Sequence, residues 1–485
     1  MTQPSSRQVT TSMLWSLVRV WGNRLGGLLI FLVLARLLSP SDFGVYAALW
    51  AILFFVELFA DLGLGDALIQ RQEIDQKLIN SVFLVNLGLA VSIYGIIWLV
   101  APPLSAWAGS PEIALPLQIA AISIVLNALG YCQLALCRRN FAYRWLAVRS
   151  LVATAVSGIF GVALAFAGYG YWALVVQFVV MALINVVVLW LKPVWRPSMD
   201  FSLSGVIALL PYSARLTGSR IFEASSTRLF ELGIGALLGA AALGVYSIGS
   251  RITQIAMQML SNVVLDVAHA TLSRLAKDEN RFREAYLQGL SLTAMVAVPA
   301  FVIFAALAPD ICVVLFGQQW SQSAPVLHAL ALFGAIQALQ YMNGAALNAS
   351  GHAGKNLIMS IPKLIVSGVM LFCFSNYGIT FLAQGFALGC ALFLPLSFLL
   401  AKKVIDFSWL GMFNRILPLL AASAGAYIVV EGGRYQFISG VVPNIGTLFV
   451  LLISGIVAYL LCLFLLAPSR LRETIAFISA ARSGS

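Results

Sequence analysis

The chain has 485 residues, of which 61% are hydrophobic and only 10% are charged, and its mean hydropathy is +0.95. A soluble fold cannot cover so much apolar surface, so the composition excludes a soluble globular protein and indicates a polytopic helical membrane protein. The net charge of +11 would suggest a nucleic-acid partner in a soluble protein. In a membrane protein it follows from basic cytoplasmic loops, so we expect no nucleic-acid partner.

Apolar runs of membrane-spanning length predict an all-α protein with about fourteen transmembrane helices. The predicted spans are 12–38, 43–68, 79–101, 113–136, 147–167, 171–191, 205–238, 241–270, 284–308, 324–347, 356–376, 378–401, 412–430 and 442–466. With the N-terminus inside, 20 of the 29 Lys and Arg residues fall in cytoplasmic segments and two in the opposite loops. This bias predicts that both termini are cytoplasmic.

Charged residues in the first two spans lie at similar predicted depths. The first span carries Arg19 and Arg24, and the second carries Glu57 and Asp61, four residues apart on one helix face. A charge in hydrocarbon costs roughly 2.5–3.5 kcal/mol on insertion scales, so each one requires a reason. One interpretation is an ion-pair network that joins the two helices. The other is a hydrated cavity in which Glu57 and Asp61 couple transport to H⁺ or Na⁺, the only cofactors that we expect.

The seventh span is too polar to face lipid along its whole length. It carries Arg215, Arg220 and Arg228, and the spacing of three residues predicts the pairs Arg220–Glu223 and Arg228–Glu231. Arg215 has no acidic neighbour at helical spacing. We therefore expect this span to line a water-filled cavity.

The eighth span has a polar stripe about 27 Å long on one face. The stripe consists of Arg251, Gln254, Gln258, Asn262, Asp266 and His269. Contact between helices needs only one or two polar groups, so this stripe also indicates a cavity wall. Further along the chain, Gln337, Gln340 and Asn343 are expected to line a cavity of the second half, and Lys363 either lines it too or reaches the cytoplasmic surface.

An internal repeat relates the two halves of the chain. Residues 42–47 read DFGVYA and residues 242–247 read ALGVYS, an offset of 200 that also aligns Asp66 with Asp266. In both copies the charged residues are concentrated in the first two spans. A duplicated bundle with buried cations is typical of a transporter of anionic cargo.

Three stretches carry a resemblance to a known family. They are LARLLSPSDFGVY at 34–46, DLGLGDALIQR at 61–71, and ALGVYS at 242–247 followed by Arg251. The chain resembles the polysaccharide transporter (Wzx-like) flippases of the MOP superfamily over essentially its whole length. The resemblance implies two six-helix bundles, 1–200 and 201–404, related by a pseudo-twofold axis, and two additional helices with a cytoplasmic tail in 405–485.

The function implied by this resemblance is transport, not catalysis. Such proteins flip undecaprenyl-pyrophosphate-linked oligosaccharides from the cytoplasmic to the periplasmic leaflet of the bacterial inner membrane by alternating access, for lipopolysaccharide or exopolysaccharide synthesis. Because the cargo carries a diphosphate, its expected ligands are cations. They are Arg24, Arg215, Arg220 and Arg251, and the expected polar cavity lining is Arg19, Gln254, Gln258, Asn262 and Asp266. Expected partners are the lipid-linked oligosaccharide, membrane lipids and the polysaccharide polymerase and chain-length machinery, with the protein itself a monomer.

Two alternatives share the predicted fold and one does not. A MATE-type drug or metabolite exporter would use an acidic cavity, which Glu57, Asp61 and Asp66 permit but the excess of arginine disfavours. A peptidoglycan-precursor flippase would differ only in its cargo. A membrane glycosyltransferase or O-antigen ligase would need a large extracytoplasmic loop with catalytic residues. The longest such loop, near 309–323, is too short for that role, and we expect no enzyme activity and no metal site.

Overall fold

The computed structural model describes residues 6–71, 74–107, 111–198, 200–275, 278–352, 354, 360–438 and 443–468. Inside helices it leaves some side chains undescribed, among them those of Arg215, Glu223 and 260–271. The described residues form helices and connecting turns without any strand, which confirms the predicted all-α class. The chain divides into two compact units, Met1–Gly244 and Val245–Ser485.

Eight helices precede one long helical segment that ends in the second unit. They are α1 (Ser6–Leu37), α2 (Pro40–Asp61), α3 (Leu64–Gln70), α4 (Gln76–Trp107), α5 (Ala114–Ala120), α6 (Ile122–Arg139), α7 (Tyr143–Phe166) and α8 (Trp172–Leu191), and the long segment is α9 (Leu203–Leu275).

Eight further helices belong to the second unit. They are α10 (Glu279–Ala306), α11 (Ala308–Ile311), α12 (Ser323–Ala349), α13 (Ser360–Phe374), α14 (Ile379–Leu392), α15 (Leu394–Ile405), α16 (Trp409–Ile438) and α17 (Ile445–Leu466).

Twelve helices of the described chain are long and apolar enough to cross a membrane, so the count of fourteen is not confirmed. Two places account for the difference. The predicted spans 205–238 and 241–270 both fall within α9, which supplies one of the twelve, and the predicted span 356–376 corresponds to a shorter apolar helix, Ile361–Tyr377.

The chain turns sharply inside α9 at Gly239, where φ is 85° and ψ is 174°. A Cβ atom added to Gly235 would lie 3.1 Å from Cδ2 of Leu243. Eight residues of straight helix would separate these positions by about 12 Å. The positive φ, which favours glycine, therefore lets the backbone fold back between the two predicted spans.

The SPSD sequence at 39–42 forms the start of α2. Ser39 and Asp42 form a capping box, and Pro40 occupies the first turn, where its missing N–H is not needed. The Oδ1 atom of Asp42 also accepts a hydrogen bond of 2.8 Å from the backbone N–H of Tyr171, next to the start of α8. Asp42 thus begins one helix and attaches it to another.

The connection between α8 and α9 is fixed to α4 and α6. The indole N–H of Trp195 donates to Oδ1 of Asn80 at 3.1 Å, and Nδ2 of Asn80 donates to the carbonyl of Asp200 at 2.8 Å. Gln133 in α6 donates to the carbonyl of Trp195 at 2.6 Å. These buried amide contacts hold the beginning of α9 against the first unit.

Both units leave large apolar side chains uncovered. Leu99 is 75% exposed in the first unit, and Phe372 and Leu465 are 88% and 75% exposed in the second. In a soluble protein such surfaces would promote aggregation, whereas a lipid bilayer can cover them.

Candidate functional site

The junction between α2 and α3 brings three carboxylates of the first unit together. Glu57 and Asp61 lie one turn apart at the end of α2. Leu62 and Gly63 both adopt left-handed conformations, with φ of 47° and 67°, and so end the helix before α3 begins. Asp66 lies in the first turn of α3. The break therefore places a third acid beside the two that the helical spacing had already aligned.

Arg220 of α9 bridges two of these acids. Its Nη2 atom lies 2.7 Å from Oδ2 of Asp66, and its Nη1 atom lies 3.9 Å from Oδ2 of Asp61. The Arg220 side chain is 41% exposed, compared with 21% for Asp61. The guanidinium is thus held by carboxylates on one side and is accessible on the other. It can still donate hydrogen bonds to a phosphate.

The other carboxylate oxygens have different partners. Oε1 of Glu57 accepts a hydrogen bond of 2.7 Å from Nδ2 of Asn127 in α6. Oδ1 of Asp61 is buried without a side-chain partner among the described residues, and the backbone of Gly65 lies beside this carboxylate. Arg138, in the last turn of α6, is a further positive neighbour of Asp61. Asn127 was not among the residues expected from the sequence, although an Asn in an apolar span was a usable signal.

Arg228 differs from Arg220 because its guanidinium is occupied by contacts within the protein. Its Nη1 atom lies 2.6 Å from Oε2 of Glu231, which confirms the predicted pair, and its guanidinium lies 4.8 Å from the centroid of the Phe54 ring. The two charged side chains are only 18% and 9% exposed. We therefore assign Arg228 a structural role in joining α9 to α2.

The ion-pair network that was one interpretation of the first two spans is not found among the described residues. The guanidinium of Arg19 lies 5.9 Å from the ring centroid of Tyr143 in α7, and that of Arg24 lies 6.0 Å from the ring of Trp21. Neither forms an ion pair in the described structure. Similar depth did not predict contact, because α1 turns its polar face towards α7.

Two hydrogen bonds show that the polar face of α1 packs against α7. Nδ2 of Asn23 donates to Oγ of Ser150 at 2.8 Å, and Oδ1 of Asn23 accepts from Oγ1 of Thr154 at 2.9 Å.

The neutralising partner of Asp61 is instead Arg220, which is 159 residues away in sequence. The pair Arg220–Glu223 lies outside the described side chains.

The polar stripe of the eighth span is described only in part. Arg251 and Gln258 are exposed, and Nε2 of Gln254 donates to Oγ of Ser250 at 3.1 Å. The side chains of Asn262 and Asp266, like that of Arg215, lie outside the described set. Their roles, and those of the described stripe residues, stay predictions.

The second unit contains a small, partly open cavity between α12, α13, α14 and α15. Its lining includes Gln340 and Lys363, and the ammonium of Lys363 lies 5.5 Å from the ring centroid of Phe333. Of the two alternatives for Lys363, the structure favours the cavity. Asn343 is instead buried between Tyr286 and Ser397, with hydrogen bonds of 2.7 and 3.0 Å.

No group of three or more His, Cys, Asp or Glu side chains with metal-binding geometry occurs in the parts of the chain that the structure describes. The three clustered acids of the first unit face arginine and asparagine instead. The arrangement is suited to holding a cation in place for an anionic ligand, or to exchanging a proton at Asp61 or Glu57.

Known proteins share both the fold and parts of the sequence. The structure superposes on the lipid II flippase MurJ in an inward closed conformation with a TM-score of 0.73 at 14% identity, covering 93% of this chain and 98% of that one. It superposes on an inward-facing multidrug resistance MATE transporter of the MOP superfamily with a TM-score of 0.63 at 16% identity, covering 80% and 98%. At such identities these matches establish the fold alone.

Sequence comparison identifies relatives in polysaccharide synthesis. The succinoglycan biosynthesis transport protein ExoT of Rhizobium meliloti (strain 1021) is 30% identical over 68% of this chain and 66% of its own length. The lipopolysaccharide biosynthesis protein WzxC of Escherichia coli (strain K12) is 23% identical over 84% and 85%. A profile of the polysaccharide biosynthesis protein family matches residues 33–325. The chain therefore belongs to the polysaccharide biosynthesis protein family, with the fold of MOP-superfamily transporters.

Proposed function

We propose that this protein flips undecaprenyl-pyrophosphate-linked oligosaccharides from the cytoplasmic to the periplasmic leaflet of a bacterial inner membrane. Family membership supports a transport role in polysaccharide synthesis. The observation that carries the choice of an anionic cargo is the half-exposed guanidinium of Arg220, held by Asp61 and Asp66 inside a membrane-spanning unit.

The chemistry of the cargo matches such a group. A diphosphate loses its hydration when it enters hydrocarbon, and cations must replace the lost water. Arginine remains charged and can donate two parallel hydrogen bonds to phosphate oxygens. The lipid tail can stay in the bilayer, so only the head group needs a polar path. Arg24, Arg215 and Arg251 are proposed as further ligands on the basis of sequence.

The arrangement disfavours an organic cation as cargo. Arg220 already neutralises two of the three clustered acids, and Asn127 is bound to the third. A drug cation would have to displace Arg220 from Asp66, where the contact is 2.7 Å. For this reason we favour a polysaccharide precursor over a drug as the cargo.

We place both termini in the cytoplasm, with the protein acting as a monomer and not as an enzyme. The distribution of Lys and Arg among the loops supports this orientation. Glu57 and Asp61 are proposed to couple transport to H⁺ or Na⁺, because both lie at the end of α2 and Oδ1 of Asp61 has no side-chain partner in the described structure. Alternating access requires such a site to change its occupancy between the two states.

A cellular experiment tests the proposed function. Cells that lack the protein should accumulate lipid-linked repeat units that a membrane-impermeant, sugar-oxidising reagent cannot label from the periplasm. Re-expression of the wild-type protein should restore labelling, and Arg220→Ala at equal membrane abundance should not. Normal periplasmic labelling in cells without the protein, in the absence of a second flippase gene, would contradict the proposal.

A further inference from the structure

The turn between α6 and α7 gathers the ends of three helices of the first unit. Phe141 in this turn has a φ of 55°, an unusual conformation for a bulky residue, and its carbonyl accepts a hydrogen bond of 3.2 Å from Oγ of Ser12 in α1. Arg138 lies just before the turn and Arg149 lies in the second turn of α7. The geometry therefore brings basic residues of separate helices to one end of the unit.

Arg149 is partly buried among other cations. The positively charged groups that act on it are those of Arg138 and Arg19. Among the described residues, none of these three arginines forms an ion pair with a carboxylate, although Asp61 is an acidic neighbour of Arg138 at longer range. Like charges gathered at a membrane boundary repel each other unless an anion lies between them or next to them.

Two buried donors on the same face of α7 have no acceptor. Nε of Arg149 and Nε1 of Trp145 are both buried without a hydrogen-bond partner in the described structure. They are four residues apart and therefore neighbours on the helix. The ammonium of Lys192 lies 5.5 Å from the ring centroid of the same indole. Buried donors are nearly always satisfied, so this pair is suited to an acceptor with several oxygen atoms, such as a phosphate.

Helix dipoles and membrane topology account for only part of the cluster. Arg138 is in the last turn of α6, where a cation interacts favourably with the helix dipole. The positive-inside rule describes why basic residues are frequent at this end. Neither effect requires that donor atoms of Arg149 and Trp145 be buried without an acceptor.

We propose that Arg19, Arg138, Arg149 and Lys192, with the indole N–H of Trp145, bind the phosphate of an anionic phospholipid head group. In the proposed orientation this cluster lies at the cytoplasmic leaflet, where anionic lipids attract basic residues. Aromatic side chains surround it, as at membrane interfaces: Tyr143 beneath Arg19, and Trp15 with Arg144 at 5.6 Å. The site does not include Arg220 and needs no transport to be occupied.

Native mass spectrometry of the purified full-length protein tests the site. The protein is mixed with equal amounts of phosphatidylglycerol and phosphatidylethanolamine of the same chain length, which share a phosphodiester but differ in net charge. We expect preferential retention of phosphatidylglycerol. Arg149→Gln should lower that retention about fivefold, the effect of roughly one cationic contact near a membrane surface.

The second unit offers a matched control. The ammonium of Lys402 lies 5.4 Å from the ring of Trp409, a contact like that of Lys192 with Trp145, but outside the cluster. Lys402→Gln should leave retention unchanged, whereas Lys192→Gln should lower it. Lys192 is exposed, so its variant should fold even if Arg149→Gln does not.

Competitors distinguish the possible sources of phosphate. Inorganic phosphate and farnesyl diphosphate, a short mimic of the cargo, are added to the wild-type complex. Retention that neither competitor reduces supports a phospholipid site. Displacement of phosphatidylglycerol by inorganic phosphate would reassign the site to a soluble anion, and displacement by farnesyl diphosphate alone would reassign it to the cargo. Equal retention of the two lipids by the wild-type protein would also overturn the proposal. So would equal retention of phosphatidylglycerol by the wild type and by Arg149→Gln and Lys192→Gln. Neither result would bear on the proposed flipping function.

Discussion

Gly44 and Gly244, the equivalent glycines of the internal repeat, lie against each other in the first unit. A Cβ atom on Gly244 would lie 3.0 Å from the backbone nitrogen of Gly44 and would collide with the carbonyl oxygen of Pro40. A Cβ atom on Gly44 would collide with the carbonyl oxygen of Ala240. The repeated GVY sequence therefore marks a point where two helical backbones approach more closely than any side chain allows.

The first prediction concerns this approach. Gly44→Ala and Gly244→Ala should each destabilise the protein by about 3 kcal/mol, the upper part of the range for overpacking, because the obstructing atoms belong to backbone and cannot rotate away. The melting temperature in detergent measures the effect. Gly88→Ala is the control, since nothing lies within 4 Å of a Cβ atom there. Unchanged melting of the Gly44 and Gly244 variants would contradict the observed packing.

The second prediction separates the role of Arg220 as a cargo ligand from its role as the counter-ion of Asp61 and Asp66. Arg220→Ala should lower flipping by about 100-fold, the loss of roughly 3 kcal/mol of charged hydrogen bonding, and should also lower protein yield because Asp61 and Asp66 then face each other unpaired. Adding Asp66→Asn should restore the yield but not the flipping. Arg220→Lys should keep part of the activity. Restored flipping in the double variant would make Arg220 only a structural counter-ion.

Arg228 provides the contrast for that experiment. Because Glu231 and the Phe54 ring occupy its guanidinium, replacing both members of the pair by glutamine should leave the flipping rate per folded molecule within about twofold. Flipping rates normalised to the amount of folded protein provide the measurement. A loss as large as that of Arg220→Ala would mean that Arg228 also binds cargo.

The orientation of the chain ends could be predicted from charge but not from the described structure. We expect a C-terminal alkaline phosphatase fusion to be inactive and a C-terminal fluorescent protein to fold, because both termini are placed in the cytoplasm. Fusions after Trp107 and after Gly317, at opposite-side loops, should show the reverse. Strong phosphatase activity at the C-terminus would invalidate the orientation and, with it, the leaflet assigned to the phospholipid site.

Ion coupling gives a prediction about Asp61 and Glu57. Asp61→Asn should fold, since Arg220 keeps its contact of 2.7 Å with Asp66, and its flipping should depend less on an imposed proton or sodium gradient. Glu57→Gln should behave similarly. Reconstituted vesicles with a defined gradient provide the measurement. Undiminished gradient dependence in both variants would show that these acids serve only to hold Arg220 and Asn127.

Local features were predictable from sequence, whereas contacts between distant segments were not. Apolar run length identified most helices, and the helical spacing correctly paired Arg228 with Glu231. The predicted spans 205–238 and 241–270 are separated at the point where the backbone turns at Gly239, but both lie within one continuous helical segment, so the count of fourteen is not confirmed. An ion pair of Asp61 with Arg19 or Arg24 was one interpretation based on their similar depth, and depth does not reveal which face a helix presents. The true partner, Arg220, comes from a helix whose position depends on the α8–α9 connection.

Flipping in reconstituted vesicles tests the central claim most directly. Purified protein is incorporated with a fluorescent undecaprenyl-pyrophosphate-linked oligosaccharide, and a membrane-impermeant quencher reports the fraction of label that reaches the outer leaflet. We expect rapid loss of the protected fraction with wild-type protein, almost none with Arg220→Ala, and no flipping of an otherwise identical neutral lipid-linked sugar. Equal flipping of the neutral and the diphosphate lipids, or full activity of Arg220→Ala, would contradict the proposed function.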